Sequence, residues 1–575
     1  MTNQEIADIF ARIADLMEIL GGDAFRINSY RRAARVIAEH TEAMADVAAA
    51  GKLQAIPGIG KSTAAKIQQA LEAGKVDRHE ELMARVPAEL PGLLAVGGLG
   101  PKTVAKLWKD AGVESVEQLR EAIASDPERL AGVPGLGKRK VEQLGESLAF
   151  MAASRGRIRL EEAAAVAEEL AGVVRELKGV KRVVPAGSFR RGRETIGDID
   201  LLCEAPKSAG GRITAGFAEA PGVARVVARG ETKCSILTEG DVEVDLRVVP
   251  ARSFGAAMQY FTGSKAHNIR LRELAVKRGW RLNEYGLFAG DKPLAGKDEA
   301  GIYEALGLAP VPPELREDRG EVEAALAGTL PELLELKDIR GDLHVHTTAS
   351  DGANTIDEMI AACRDRGYAY LAICDHSKSQ IQANGLDEQR LAEHAGAIRA
   401  AGAKHKGIRA LAGVEVDIFK DGRLDFAAGV LAELDFVTAS PHSALSLGRK
   451  EATARIVRAI EQPHVHCIGH VSGRLINERP GMEIDIEAIA AAAAANDVAL
   501  EINAHPWRLD LRDTHVRAAI RAGAKLLINT DAHNIAGLDL MCFGVTTARR
   551  GWATAADVVN TWPARRLEQW LRRKR

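Results

Sequence analysis

GSFRRGRETIGDID, residues 187–200, decides how this chain is read. Asp198 and Asp200 stand two apart at the end of a predicted strand, so in extended backbone both carboxylates point to one face. Such a pair can hold a divalent cation against a phosphate. Gly187 and Ser188 make a turn just upstream, and two arginines follow them.

Working outward, a predicted helix over residues 160–177 leads through an apolar strand into this stretch. Downstream, DVEVDLRVVP (residues 241–250) adds Glu243 and Asp245 on one strand face, with Arg247 after them. Carboxylates on adjacent strands suit two Mg²⁺ or Mn²⁺ ions, one activating a 3′-hydroxyl and one carrying a triphosphate.

The totals limit the rest. A chain of 575 residues is too long for one domain, since ~150 residues per domain is typical. With 46% hydrophobic and 27% charged residues it is an ordinary globular sequence, which disfavours disorder and membrane classes. A net charge of -2 makes any basic surface a local one. The six cysteines show no CxxC spacing, which argues against a disulfide framework or a thiolate zinc site, and a reducing cytoplasm is expected. The N-terminus carries acids where a signal peptide needs bases, and its Ile6, Ile9, Phe10, Ile13, Met17, Leu20 pattern predicts an amphipathic helix.

Before residue 154 the chain reads as helices, with one pattern in triplicate: IPGIGKSTAAKI from Ile56, VGGLGPKTVAKL from Val96 and VPGLGKRKVEQL from Val133. The glycine pairs are Gly58 and Gly60, Gly98 and Gly100, Gly135 and Gly137, and the second of each pair is expected to turn the backbone at a helix start. There, free N–H groups favour a phosphate. One Gly-x-Gly is often only a tight connector; three in one segment resemble the helix-hairpin-helix motif, which grips DNA without reading its sequence. Lys61, Lys102 and Lys138 stand beside the turns as phosphate partners. Arg26 and Tyr30 lie on an earlier helix as DNA-end contacts, although Tyr30 fits a core equally well. The hairpin loops are also expected to take a monovalent cation.

Gly187-Ser188 followed by Asp198-x-Asp200 is the nucleotidyltransferase signature, and the whole string resembles family X DNA polymerases, the polymerase beta group. YFTGSKAHNIRLRELA (residues 260–275) and LNEYGLF (residues 282–288) resemble that family's thumb. The resemblance implies that Asp198 and Asp200 ligate both metals, with Asp245 on the catalytic one. Ser188, Arg191 and the backbone at Gly187 and Gly197 would hold the nucleotide phosphates, with Arg157 a weaker contributor. Tyr260, Phe261 and Gly263 would line the sugar. Asn268 and Arg272 would touch the minor-groove edge, with Glu284 holding Arg272. Lys265 stands where the animal enzymes have an acid. Lys66 falls on the family's lyase lysine, but Ser62 replaces its lysine neighbour.

After a proline- and acid-rich connection, strands and helices alternate through residues 339–575, which predicts a parallel barrel with its functional residues at strand ends. Those ends carry His344, His346, Asp351, His376, Glu415, His442, His470, Asp531 and His533. Burying so many unpaired groups would be costly, and metal is the simplest partner. The block resembles the PHP (polymerase and histidinol phosphatase) domain. That likeness implies three metals: one on His344, His346, Glu415 and Asp531, a second on Glu415, His442 and His470, and a third on Asp351, His376 and His533. Nitrogen and oxygen ligands without thiolate suit Mn, Zn or Fe.

The expected fold is therefore multidomain: helical helix-hairpin-helix regions (1–84 and 85–153), an α+β nucleotidyltransferase palm (154–253) with a thumb (254–312), a linker (313–338) and a distorted β/α barrel (339–575). The resemblance implies a gap-filling polymerase of DNA repair; nothing in the sequence demands a dimer, so a monomer is expected, in the cytoplasm that the cysteines suggest. Its substrates would be gapped or nicked duplex DNA and deoxynucleoside triphosphates, and a metal-dependent 3′–5′ exonuclease, with abasic-site endonuclease action, would sit in the barrel. Two alternatives stand beside it: a PHP domain hydrolysing a small phosphate monoester, and a non-catalytic DNA-end scaffold.

Overall fold

Spacing of apolar residues builds the first unit. Ile6, Phe10, Ile13 and Met17 recur every three or four residues along the helix Asn3–Ile19, and all are buried. They join Ile27, Ile37, Ile67, Leu107 and Leu144 in one core beneath a run of short helices. In the computed structural model this unit comprises Met1–Arg155 with Asn477–Pro480, and a second comprises Gly156–Ile476 with Gly481–Arg575. The structure describes all residues except Thr2, 40–42, Pro57, Arg155 and 574–575; Pro57 of the first glycine hairpin is therefore outside the description.

The three hairpins share one geometry, and it differs from the expected one. Positive φ falls on the first glycine of each pair (Gly58 +93°, Gly98 +88°, Gly135 +88°). Gly60 and Gly100, the second glycines, are extended caps of the helices Lys61–Ala73 and Pro101–Ala111. A Cβ at Gly60, Gly100 or Gly137 would meet open space. The first glycine thus makes the turn, and the second leaves the helix start bare.

In the second unit, a five-stranded sheet has the order Arg182–Pro185, Asp198–Glu204, Glu243–Val249, Lys233–Thr238, Val223–Arg229. Only the Asp198–Glu204 and Glu243–Val249 pair is parallel, with Asp200 opposite Asp245. Alternation sorts the faces: Ile199, Leu201, Cys203, Val244 and Leu246 pack under the helices Leu160–Arg175 and Gly210–Ala218. On the other face Leu202 packs with Phe254, Ala257 and Met258 of the helix Phe254–Thr262. The aspartates occupy the first and third residues of their strand.

Much of residues 313–338 is packed: its first part joins the thumb core, and Leu334 joins the barrel core. Leu315, Val322, Ala325 and Leu333 share the thumb core with Leu271, Tyr303 and Val311. His267 Nδ1 lies 2.7 Å from the buried Glu321 carboxylate, and its Nε2 lies 3.0 Å from the Tyr303 hydroxyl. Burial would raise the Glu299 carboxyl, but Arg190 and Arg316 outweigh it and hold it at about 2.

The C-terminal region is a seven-stranded parallel sheet in sequential order from Gly341–Val345 to Lys525–Asn529. A bridge between Val345 and Ala532 brings its two ends together, so it is a nearly closed barrel. Leu343, Ala372, Leu411, Phe436, Cys467, Ala499 and Leu527 form one core with Trp562 and Trp570. Their neighbours along the strands, such as Val345, Ile373, Val414, Val437 and Leu500, pack under the surrounding helices. Among the described residues, no helix is long and apolar enough to cross a membrane.

Candidate active sites

The palm site follows from register. Asp200 and Asp245 face each other on parallel strands, which places their backbones ~5 Å apart. Asp198 is exposed at the strand start. Burial, and then the charges of Asp198 and Asp245, push the Asp200 carboxyl up to about 7. That is a surplus of negative charge of the kind a divalent cation relieves, so these residues fit a metal. Lys233 Nζ sits 2.9 Å from Asp245, and Ser235 Oγ donates to the same carboxylate; neither was singled out from sequence. A Cβ on Gly187, at φ +61°, would lie 2.6 Å from Asp200 Oδ2, so glycine is what lets this turn meet the carboxylate.

Of the residues expected around a nucleotide, Gly187 meets the trio at Asp200, and most of the others are tied to one another or to their neighbours. Ser188 lies in a four-residue helix, Gly187–Arg190, that replaces the expected simple turn. Arg191 donates to the Thr262 carbonyl next to Gly263, and its Nε donates to Glu317 at 3.1 Å. Arg157 Nε donates to Thr195 at 2.9 Å, and its guanidinium lies 3.0 Å from where a Cβ on Gly197 would be. Tyr260 and Phe261 meet edge to face at 5.1 Å, and Arg247 covers Phe261 at 4.3 Å. Asn268 is buried: it accepts from Gln259 and donates to the Tyr260 carbonyl, both at 2.7 Å. Arg272 Nε donates to the Asn268 carbonyl at 3.3 Å. Among the described residues Arg272 makes no ion pair with Glu284, contrary to expectation.

The barrel site is buried and crowded. His344, His346 and Glu415 are fully buried at strand ends. His346 Nε2 lies 3.0 Å from Asp531, His376 Nδ1 2.7 Å from Glu415 Oε2, and His470 Nε2 2.9 Å from Glu415 Oε1. His442 Nε2 is 3.3 Å from the same oxygen. Glu415 Oε2, His344 Nε2, both nitrogens of His346 and His376 Nδ1 are buried and, although some lie within 3 Å of one another or of Asp531, their angles make no hydrogen bond. Orphaned acceptors and imidazoles converging on shared points fit metal ions. Three groups could hold one each: His344, His346 and Asp531; His346, Asp351, His376 and His533; and His376, Glu415 and His442. His346 and His376 therefore each serve two groups, a sharing that the sequence-based partition did not contain.

Protonation shifts follow the same crowding. Burial would raise the Glu415 carboxyl, but His442, His376 and His344 hold it well below the carboxylate range. Burial, with His533 and His376 alongside, lowers His346 to about 4, so its ring is neutral and ready to ligate. Burial opposes the charge on His533, but Asp351 and Asp531 outweigh it and raise that ring to about 9.

Residues missed from sequence fix these ligands. His344 Nδ1 donates to Glu501 at 2.8 Å and His442 Nδ1 to Asp417 at 2.5 Å. Asp375 accepts from Thr347 and Ser350. The available signal was a carboxylate inside an apolar strand, as with Glu501 between Leu500 and Ile502.

In the first unit, Arg26, Tyr30, Ser62 and Lys66 line a cleft of about 430 Å³. Lys66 Nζ donates to Ser62 Oγ at 2.8 Å. Tyr30 also contacts Phe10 at 6.0 Å between ring centroids, so it is partly core. Lys61 is exposed, Lys102 lies 3.8 Å from Glu18, and Lys138 pairs with Glu128 at 2.6 Å.

Family models match in the same order along the chain: a helix-hairpin-helix domain (1–76), a tandem helix-hairpin-helix (91–149), the DNA polymerase beta palm (157–229), the DNA polymerase beta thumb (257–317) and the PHP domain (342–505). The chain is 31% identical over 202 residues to a probable phosphatase of Shewanella sediminis, covering 33% of this chain and 77% of that protein. It is also 31% identical over 204 residues to the probable phosphatase YcdX of Escherichia coli, covering 33% and 78%. DNA polymerase/3′-5′ exonuclease PolX of Bacillus subtilis is 38% identical over 577 residues, covering 100% of both chains. With that agreement from end to end, and palm, thumb and PHP matches in sequence, the chain belongs to the PolX family, the family X DNA polymerases that carry a C-terminal PHP domain.

Proposed function

We propose that this chain fills short gaps in DNA at the palm trio and removes nucleotides from 3′ ends at the barrel centre, as a repair enzyme. The observation that carries the reading is the pairing, in one chain, of Asp200 opposite Asp245 with a centre of eight histidines and carboxylates in candidate metal groups, against which His470 packs at Glu415. Its full-length relative is named for both activities.

Divalent ions bound at either site would lower the pKa of an attacking hydroxyl or water and neutralise phosphate charge. Around them the chain positions the reactants. Asp198, Asp200 and Asp245 would hold Mg²⁺ or Mn²⁺, with Asp245 beside the primer 3′-hydroxyl. Ser188, the Gly187 and Gly197 backbones, Arg157 and Arg191 receive the triphosphate, with Arg191 exchanging Glu317 for phosphate. Tyr260, Phe261 and Gly263 pack on the sugar, and Arg272, seated by Asn268, faces the minor-groove edge. The bare helix starts at Gly60, Gly100 and Gly137, with Lys61, Lys102 and Lys138, grip the phosphates of gapped duplex. In the barrel, His344, His346, Asp351, His376, Glu415, His442, His470, Asp531 and His533 would hold Mn, Zn or Fe, and the same centre would serve abasic-site cleavage.

Likeness to probable phosphatases favours a second reading for the barrel, a small monoester. Nucleotide release from a 3′-recessed duplex, compared with phosphate release from histidinol phosphate, separates the two. Turnover of the duplex supports the nuclease, and turnover of the monoester alone ends it. Lyase chemistry at Lys66 is a further part of the proposal: Lys66→Ala should abolish a borohydride-trapped adduct, and an undiminished adduct removes Lys66 from the account.

A further inference from the structure

We propose that Trp507 and Arg508 form the substrate-holding lip of the barrel centre, with Arg508 taking the scissile phosphodiester and Trp507 stacking on a base of the 3′-terminal segment of a DNA strand. The inference rests on the nuclease reading of that centre and names how it selects a polynucleotide.

Arg508 follows the Ala499–Asn503 strand in a loop at the centre's edge, and its Nε is 3.9 Å from the candidate ligand Asp531. Among the described residues its guanidinium donates no hydrogen bond, and its side chain is 21% exposed. A cation with open donors beside a metal centre is suited to phosphate oxygens, which guanidinium binds in a bidentate way. Trp507, next to it, is 41% exposed although it is a large apolar ring. Indole is a sequence-tolerant platform for bases.

The lip is held rigid by elements outside the barrel strands. Asp510 accepts from Ser472 N and Oγ and from Gly473 N at 2.8–3.0 Å, two and three residues beyond His470. Arg474 donates to the carbonyls of Arg508 at 2.7 Å and Leu509 at 2.6 Å, and the same side chain pairs with palm Glu194 at 2.7 Å. Palm Arg159 lies 4.8 Å from the Trp507 ring. The palm thus braces the lip through Glu194 and Arg159. Arg508 and Trp507 are consecutive, close enough for one strand to offer a phosphate to the first and a base to the second.

The test uses full-length wild type, Arg508→Ala, Arg508→Lys and Trp507→Ala on two substrates, a single-stranded oligonucleotide and bis(p-nitrophenyl) phosphate. Trp507→Ala should raise KM for the oligonucleotide about tenfold and leave the small diester unchanged. Arg508→Ala should lower kcat/KM on both by about 100-fold, and Arg508→Lys should recover part of it. Gap filling and melting temperature should match wild type in all three. If wild type trims DNA while the two alanine variants keep its KM and kcat, the inference falls and the nuclease reading stands. Equal losses on both substrates for Trp507→Ala would remove base stacking. A wild type that hydrolyses no DNA ends both.

Discussion

The two centres solve the metal problem in opposite ways. In the palm, three carboxylates stand at open strand starts, one of them exposed, and the surplus charge appears as a raised Asp200 carboxyl. In the barrel, most of the candidate ligands are buried and two are fastened from behind by a second carboxylate, His344 by Glu501 and His442 by Asp417. An open site is completed by its substrate, because the triphosphate brings both charge and metal. A buried, braced one is complete beforehand and needs only a phosphate to enter.

The largest effect should come from the carboxylate at the middle of each centre. Asp200→Asn should reduce nucleotide incorporation by about 1000-fold and Glu415→Gln should reduce 3′ trimming as much, each sparing the other reaction in steady-state assays. Cross-loss would break the separation. Beneath the palm lies a support that is not adjustable: Glu299 pairs with Arg190 at 2.8 Å and with Arg316, which is 2% exposed. The folded carboxyl titrates at about 2, against ~4.3 in an unfolded chain, so it contributes on the order of 3 kcal/mol. The contribution is present above pH ~4.5 and fades as pH falls toward ~2, because the unfolded chain takes up the proton first. Urea unfolding should show Glu299→Gln weaker than wild type at pH 6, with the gap narrowing below pH 4; a pH-independent gap would contradict the pairing.

Bracing predicts the next effect. Asp417→Asn and Glu501→Gln should each weaken metal retention by about 10- to 100-fold, read as metal content after dialysis against a chelator. Asp198→Ala should leave that content unchanged, because the open site holds its ions only with substrate. The smallest effect belongs to the hairpins. Lys102→Ala should weaken gapped-duplex binding slightly and lower the salt slope by about one.

The chemistry was legible because both centres use residue types that their surroundings do not call for: aspartates beginning an apolar strand, and histidines at successive strand ends. Less visible was anything set by long-range packing. Nothing local in residues 313–338 announces that Glu321 meets His267 or that Leu315 and Val322 complete the thumb core. Arg191 was readable as a phosphate partner, whereas its pairing with Glu317 depends on residues 126 apart in sequence. The hairpin glycines were found by pattern and their roles were exchanged, since only backbone angles separate the residue that turns from the one that leaves space. His346 and His376 each belonging to two ligand groups is likewise a fact of three-dimensional convergence.

The most direct test of two independent, opposed centres in one chain is a single gapped duplex with a 5′-labelled primer, incubated with and without nucleotides. Wild type should lengthen the primer with nucleotides and shorten it without them, Asp245→Ala should only shorten it, and His344→Ala should only lengthen it. Loss of both reactions in either well-folded variant, or shortening that survives His344→Ala, would contradict the account.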